Sequence, residues 1–240
     1  MPAALTRLVA LALGVGLLVT VVPRARAEEF HVRSPIVEPG EAELEVRGAE
    51  EWSRGQRASR EDTAVLAAGY GVTERWFTEL ELEWERPPGG RLQRTAAAWE
   101  NVVQLTPQGR YWLDAGLYAA VEAAAQRDQP DVLAVGPLLQ KQVGRLLATL
   151  NLIAERQAGS HADGVVRGTY AWQARWLIHE PLEPGLEGFG EPHEQRAGPV
   201  LFGTLPVGHA SRLRYELGYL AGLTRDTPDH TLKAALELEF

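Results

Sequence analysis

The sequence predicts an all-β protein: an antiparallel transmembrane β-barrel of about 12 strands that follows a cleaved N-terminal signal peptide. Three observations predict it. Apolar and charged residues alternate with period 2 in segment after segment. Many of these segments run to ten residues or more, as a tilted membrane strand requires. Connections rich in turn formers also take turns with tight ones, the pattern of extracellular loops and periplasmic turns.

The leader comes first. Arg7 supplies a positive start, residues 8–22 an apolar core, and Ala25-Arg26-Ala27 a small-x-small cleavage site, so residues 1–27 read as a signal for the Sec pathway. A run of 15 apolar residues is short of the roughly 20 that a spanning helix needs. Cleavage before Glu28 leaves residues 28–40 as a periplasmic N-terminal segment and 41–240 as the barrel. It also removes Met1, the single methionine, with Arg7, Arg24 and Arg26. The 24 basic residues of the whole chain thus fall to 21, against 32 acidic ones, a net charge of −11. That balance excludes a basic nucleic-acid binder. With no cysteine, the exported chain has no disulfide, no soft sulfur ligand for copper(I) and no cysteine to carry a lipid.

The strands fall near 41–50, 61–71, 75–86, 92–105, 109–124, 131–142, 144–157, 166–180, 182–190, 195–206, 211–224 and 229–240. The third is the clearest, with Trp76, Leu80, Leu82 and Trp84 on one face and Glu79, Glu81, Glu83 and Glu85 on the other. In the eleventh, Leu213, Tyr215, Leu217 and Tyr219 alternate with Arg212, Arg214 and Glu216. In the twelfth, Leu232, Ala234, Leu236, Leu238 and Phe240 alternate with Lys233, Ala235, Glu237 and Glu239. Residues 118–125 are alanine-rich, and Leu146, Leu147, Leu150 and Ile153 also fit helical spacing. Both stretches abut clean alternation, and a barrel wall has no place for a lone helix, so they are assigned as strands. Turn formers mark residues 51–60, 87–90, 125–130, 158–165, 191–194 and 225–228, after the odd-numbered strands; connections after the even-numbered strands are expected to be tight.

A soluble β-sandwich also alternates, but its strands are usually shorter. Aromatic residues moreover sit near strand ends, as interface girdles do: Tyr70, Trp76, Tyr111 and Phe240 toward the periplasm, Trp84, Tyr170 and Trp172 toward the outside.

Seven stretches carry a resemblance: SPIVEPGEAELEVRG at 34–48, GYGVTERWFTELELEWE at 69–85, WENVVQLTPQGRYWLDAGLY at 99–118, GPLLQKQVGRLLATLNLIAERQ at 136–157, YAWQARW at 170–176, LEPGLEGFG at 182–190 and GPVLFGTLP at 198–206. Through them the chain resembles an uncharacterised proteobacterial family of porin-like outer-membrane β-barrels labelled as transporters. The resemblance implies the barrel and its membrane, and brings no substrate or catalytic residue with it. Phe240, with Leu238 and Leu236 before it, resembles the terminal assembly signal of outer-membrane barrels, which departs here in having an aliphatic third-from-last residue. The partners this implies are outer-membrane lipid and the barrel assembly machinery.

If the apolar face meets lipid, the charges face the lumen, because charge on the lipid face is costly. Lumen-lining acids are then Glu43, Glu45, Glu79, Glu81, Glu83, Glu85, Glu100, Asp114, Glu122, Glu155, Glu216, Glu237 and Glu239; lumen-lining bases are Arg175, Arg212, Arg214 and Lys233. The acids point to an aqueous path for small cationic solutes. They are equally compatible with a lumen filled by salt bridges, Glu85 with Arg91 and Arg94, Arg212 and Arg214 with Glu237 and Glu239. The two functions are a narrow channel or transporter and a non-conducting structural or interaction barrel. An outer-membrane lipid hydrolase is a third, resting on His209-Ala210-Ser211, with no acid placed to orient the histidine. Asp226, Asp229 and His230 read as turn chemistry around Pro228. The six histidines show no i, i+2 pair and no phosphate-binding loop occurs, so neither a metal, a cofactor nor a catalytic residue is assigned.

Overall fold

The computed structural model describes residues 30–53, 59–208 and 210–240; the expected signal peptide and its cleavage site lie outside them. Twelve strands follow in chain order: β1 (Ala42–Ser53), β2 (Ser59–Thr73), β3 (Trp76–Arg86), β4 (Gln93–Gln104), β5 (Asp114–Ala124), β6 (Asp131–Val143), β7 (Leu146–Ala158), β8 (Val166–Trp176), β9 (Glu183–Gly190), β10 (Gln195–Val207), β11 (Ser211–Gly222) and β12 (His230–Glu239). Each pairs antiparallel with its chain neighbours, and β12 closes on β1, with Glu43 opposite Glu239 and Trp52 opposite His230. Ala42 and Phe240 seal the lower rim by exchanging backbone hydrogen bonds of 3.0 and 2.9 Å. Closure leaves no strand edge, the condition for a sheet in lipid. Both helix-competent stretches are strands, in β5 and β7.

The side-chain pattern is the reverse of a soluble core. Leu80 is 64% exposed on the outer face of β3, whereas its neighbour Glu81 is 1% exposed inside. A water-soluble sandwich would bury the leucine; a membrane barrel turns it to lipid.

The connections depart from the expected alternation. Those after β2, β6 and β10 are tight, but 105–113 and 177–182, after β4 and β8, are not. Both are held as compact turns at the expense of strand length. In the first, Gly109 adopts φ 66° and donates its N–H to the Asp114 carboxylate at 2.7 Å, while the Ala115 N–H bonds Thr106 Oγ1 at 2.8 Å. In the second, the Leu182 N–H bonds the His179 carbonyl at 2.7 Å and Tyr215 donates its hydroxyl proton to the Pro181 carbonyl at 2.6 Å. The fifth strand therefore starts at Asp114 rather than 109, and the eighth stops at Trp176 rather than 180.

The larger departure concerns the segment before β1. The sequence places 28–40 outside the barrel; in the structure, residues 30–37 run along its interior and 38–41 lead over the lower rim into β1. At the lower rim the Gly40 N–H bonds the Gly71 carbonyl at 2.8 Å. Higher up, a Cβ on Gly116 would stand 3.0 Å from that of Pro35, so only glycine lets the segment lie this close to the wall without displacing it. Val37 packs in an apolar cluster with Val102, Tyr118 and Leu138, and Phe30 in a second with Phe189, Val200, Phe202 and Leu220. The interior is therefore apolar where Phe30 and Val37 of this segment pack.

Candidate functional site in the barrel lumen

The inward register of β1 and β3 brings the acidic residues together. Glu45, Glu79, Glu81 and Glu83, with Glu100 from β4, are all buried. Arg47, two residues beyond Glu45 on the same face, balances part of this charge: its guanidinium lies 2.6 Å from Glu45, 2.5 Å from Glu81 and 3.9 Å from Glu79. Glu100 is gripped by Arg33 of the interior segment, Nε donating to one carboxylate oxygen at 2.7 Å and a terminal nitrogen to the other at 2.5 Å. Tyr118 donates its hydroxyl proton to the same carboxylate at 2.8 Å, and its ring lies 4.5 Å beneath the guanidinium. One oxygen each of Glu79, Glu81 and Glu100 falls within 4.8 Å of the others.

Further around the wall, Lys233 bonds Glu187 at 2.6 Å and also pairs with Glu216. Arg196 pairs with Glu51, and with Glu194 at 3.2 Å. Arg175 pairs with Glu183. At the lower end Arg212 and Arg214 reach Glu239 at 2.9 and 2.6 Å, and Arg214 reaches Glu237 at 3.5 Å, the pairing anticipated from the sequence.

Of the other sequence-assigned lumen residues, Lys233 is buried, and Glu43, Glu85, Glu122, Glu155, Glu216, Glu237, Arg175 and Arg214 are partly so. Arg212 is exposed at the lower rim, and Asp114, though buried, is engaged by its turn. The proposed partners of Glu85 are placed otherwise: a register shift between Glu83 and Trp84 sets Arg94 opposite Trp84, on the outer face, and Arg91 is exposed in the connection. Leu236 and Phe240 face outward, Leu236 53% exposed to the lipid side, with Leu238 partly covered.

Sequence reasoning missed Arg33, Arg47, Glu51, Glu183, Glu187 and Arg196. Arg47 and Glu51 continue the inward register of Glu43 and Glu45: Arg47 falls within the expected first strand, and extending that strand beyond residue 50 would have found Glu51. Arg33 precedes any alternation and carries no periodic signal.

The segment divides the lumen. A cavity of about 380 Å³ fills the lower half, lined among others by Glu43, Glu45, Glu79, Glu100, Glu216 and Glu237. A smaller one of about 70 Å³ lies above, against Glu155, Glu194 and Arg196. His31 and Arg33 line both cavities and so stand between them.

Three acids outside the spanning strands show how the rims handle charge. Burial raises the pKa of Glu194, with Arg196 opposing. Burial also raises that of Glu41, reinforced by Glu239 and Glu38. The bond from Arg167 lowers that of Asp163. His209 lies outside the described residues. His230 faces outward, 2.6 Å from the Tyr219 hydroxyl and against the Trp52 ring. The Asp229 carbonyl accepts the Gly222 N–H at 3.1 Å, in keeping with a turn.

No protein-family model matches the sequence, and no curated protein matches it. Among solved structures, the chain is similar to the translocator domain of autotransporter NalP from Neisseria meningitidis, at 11% identity over 85% of this chain and 88% of that one, with a TM-score of 0.49. It is similar also to the transport unit of the autotransporter AIDA-I from Escherichia coli, at 8% identity over 85% and 90% of the two chains, TM-score 0.46. Salmonella typhi OmpF, in complex with daunomycin, is 5% identical over 83% and 96%, TM-score 0.36. At such identities a likeness concerns barrel architecture alone.

Proposed function

We propose that this barrel sits in the bacterial outer membrane as a narrow channel or transporter preferring small cations, and that residues 30–37 hold its path shut at rest. The observation that carries this reading is the lower cavity: its lining includes Glu38, Glu41, Glu43, Glu45, Glu79, Glu100, Glu216 and Glu237 against Arg33, Arg175 and Arg214. Carboxylates in such excess around a confined low-dielectric space focus a negative potential that gathers cations and repels anions. Export by the Sec pathway and cleavage before Glu28 would put the new N-terminus two residues from Phe30, so that the segment can lie in the lumen with no long chain to thread past it.

The test is single-channel recording on the mature protein in planar bilayers bathed in unequal potassium chloride solutions. The reading expects small, infrequent conductances whose reversal potential favours potassium. Replacing Glu43 and Glu45 with glutamine should move that potential toward zero while the boiling-dependent gel shift of a folded barrel persists, since lumen substitutions tune selectivity more than stability. Chloride preference, or silence in a variant lacking residues 30–37, would reject the channel. The density of internal ion pairs favours a second reading, a closed structural barrel, and silence in that variant would leave it standing.

A further inference from the structure

Glu100 belongs to two arrangements at once. It is the residue that Arg33 holds, and it is the third corner of the carboxylate group formed with Glu79 and Glu81. Oxygens within 4.8 Å of one another can lie on the coordination sphere of one ion, because ligand distances of roughly 2.3 to 2.6 Å permit separations up to about twice that. A cluster of acids alone would be weak ground. Here Glu81 Oε2 and Glu83 Oε1 are buried with no hydrogen-bond partner among the described residues, and Glu79 Oε1 has the Arg47 guanidinium only at 3.9 Å, although these side chains are nearly wholly inside. Buried carboxylate oxygens with unused lone pairs are costly unless a cation or a proton meets them. Arg47 meets one edge of the group and Arg33 another, two guanidiniums against Glu45, Glu79, Glu81, Glu83 and Glu100. Access exists, since Glu79 and Glu100 both line the lower cavity.

We propose that Glu79, Glu81 and Glu100 bind one hard divalent cation of the calcium or manganese kind, and that this ion and Arg33 compete for Glu100. Oxygen-only ligands select hard cations, with water completing the shell. Binding then loosens the interior segment, and by linkage loosening the segment tightens binding by the same factor. The proposal deepens the reading of the lower cavity as a cation path and rests on it for its purpose, but its test requires no current.

The mature barrel, folded in detergent and verified by its gel shift, is titrated with Mn²⁺ and the free ion followed by electron paramagnetic resonance. The expected result is one Mn²⁺ per barrel, displaced by Ca²⁺. Glu79→Gln and Glu81→Gln should each weaken it tenfold or more, and Arg33→Ala, which alters no wall strand, should tighten it on the order of tenfold. A free-ion signal undiminished by the wild-type barrel at millimolar Mn²⁺ would overturn the site, as would binding that survives both glutamine variants. An unchanged affinity in Arg33→Ala would overturn the competition. A barrel that binds Mn²⁺ but never conducts defeats the channel and keeps the site; a cation-selective pore that binds none does the reverse.

Discussion

Removing the Arg33 guanidinium should free the interior segment, and the size of the effect can be worked from its contacts. Arg33→Ala deletes two charge-assisted hydrogen bonds, at 2.7 and 2.5 Å, between side chains only 10% and 5% exposed. It also removes the stacking on Tyr118. Breaking a buried ion pair by deleting one partner typically costs about 3 to 5 kcal/mol. The lower figure suits this pair, because Glu100 keeps the Tyr118 hydroxyl and opens onto the lower cavity. About 3 kcal/mol corresponds to roughly a 100-fold shift in the ratio of docked to released segment. The release is not total, since Asn151 still brackets the backbone of residue 33, accepting its N–H at 2.7 Å and donating to its carbonyl at 2.9 Å, and Phe30 and Val37 keep their apolar clusters. The chain has no cysteine, so Pro35→Cys, at a side chain less than 2% exposed, gives a single reporter buried inside the lumen. Its rate of modification by a charged, water-soluble maleimide should rise roughly 100-fold in Arg33→Ala, and by less in Arg33→Lys, which keeps the charge but loses the two-pronged geometry. Equal rates in the three backgrounds would show that Arg33 does not hold the segment, whatever the barrel conducts.

Two further outcomes follow from the same physics. Arg47→Met should lower the unfolding free energy of the detergent-folded barrel by about 3 to 5 kcal/mol, because it strands Glu45 and Glu81 without their nearest cation; urea unfolding followed by tryptophan fluorescence would read it, and a loss below about 1 kcal/mol would refute the assignment. In carboxyl-carbon titrations by NMR, Asp163 should titrate below the ordinary aspartate range and Glu194 above the ordinary glutamate range. The Asp163 contribution is then present above that range and lost as pH falls through its folded value, whereas that of Glu194 is present below its range and lost as pH rises through its folded value. Arg167→Ala should return Asp163 upward, and no movement would disprove its pairing.

The wall was legible because its constraint is generic. Any strand with lipid on one side must alternate, so Leu80 against Glu81, or Leu236 against Glu237, announces both the strand and its faces. Ends were less legible because they depend on local bonds that alternation does not encode. Thr106 and Asp114 tie up the turn after β4, and the strand starts five residues later than its apolar pattern suggests.

The lumen was legible only as a face. Alternation states that Glu79, Glu81 and Glu100 point inward; it does not state that β3 and β4 set Glu79 opposite Glu100, nor that Arg47 from β1 reaches across β2 to Glu81. Those meetings follow from register and closure, which join residues far apart in the chain. Arg33 is the extreme case. It sits in a stretch with no period, 67 residues from Glu100 and 118 from Asn151, and only a closed barrel wide enough to admit a chain brings it to either. What the sequence did carry was the imbalance itself: the inward acids outnumber the inward bases, and such a wall must recruit positive charge from elsewhere. The interior segment answers that demand with one guanidinium, and Arg47 with another. The buried oxygens of Glu81 and Glu83 still without a hydrogen-bond partner are the part of the demand that neither arginine meets, and it is this demand that the proposed cation would answer.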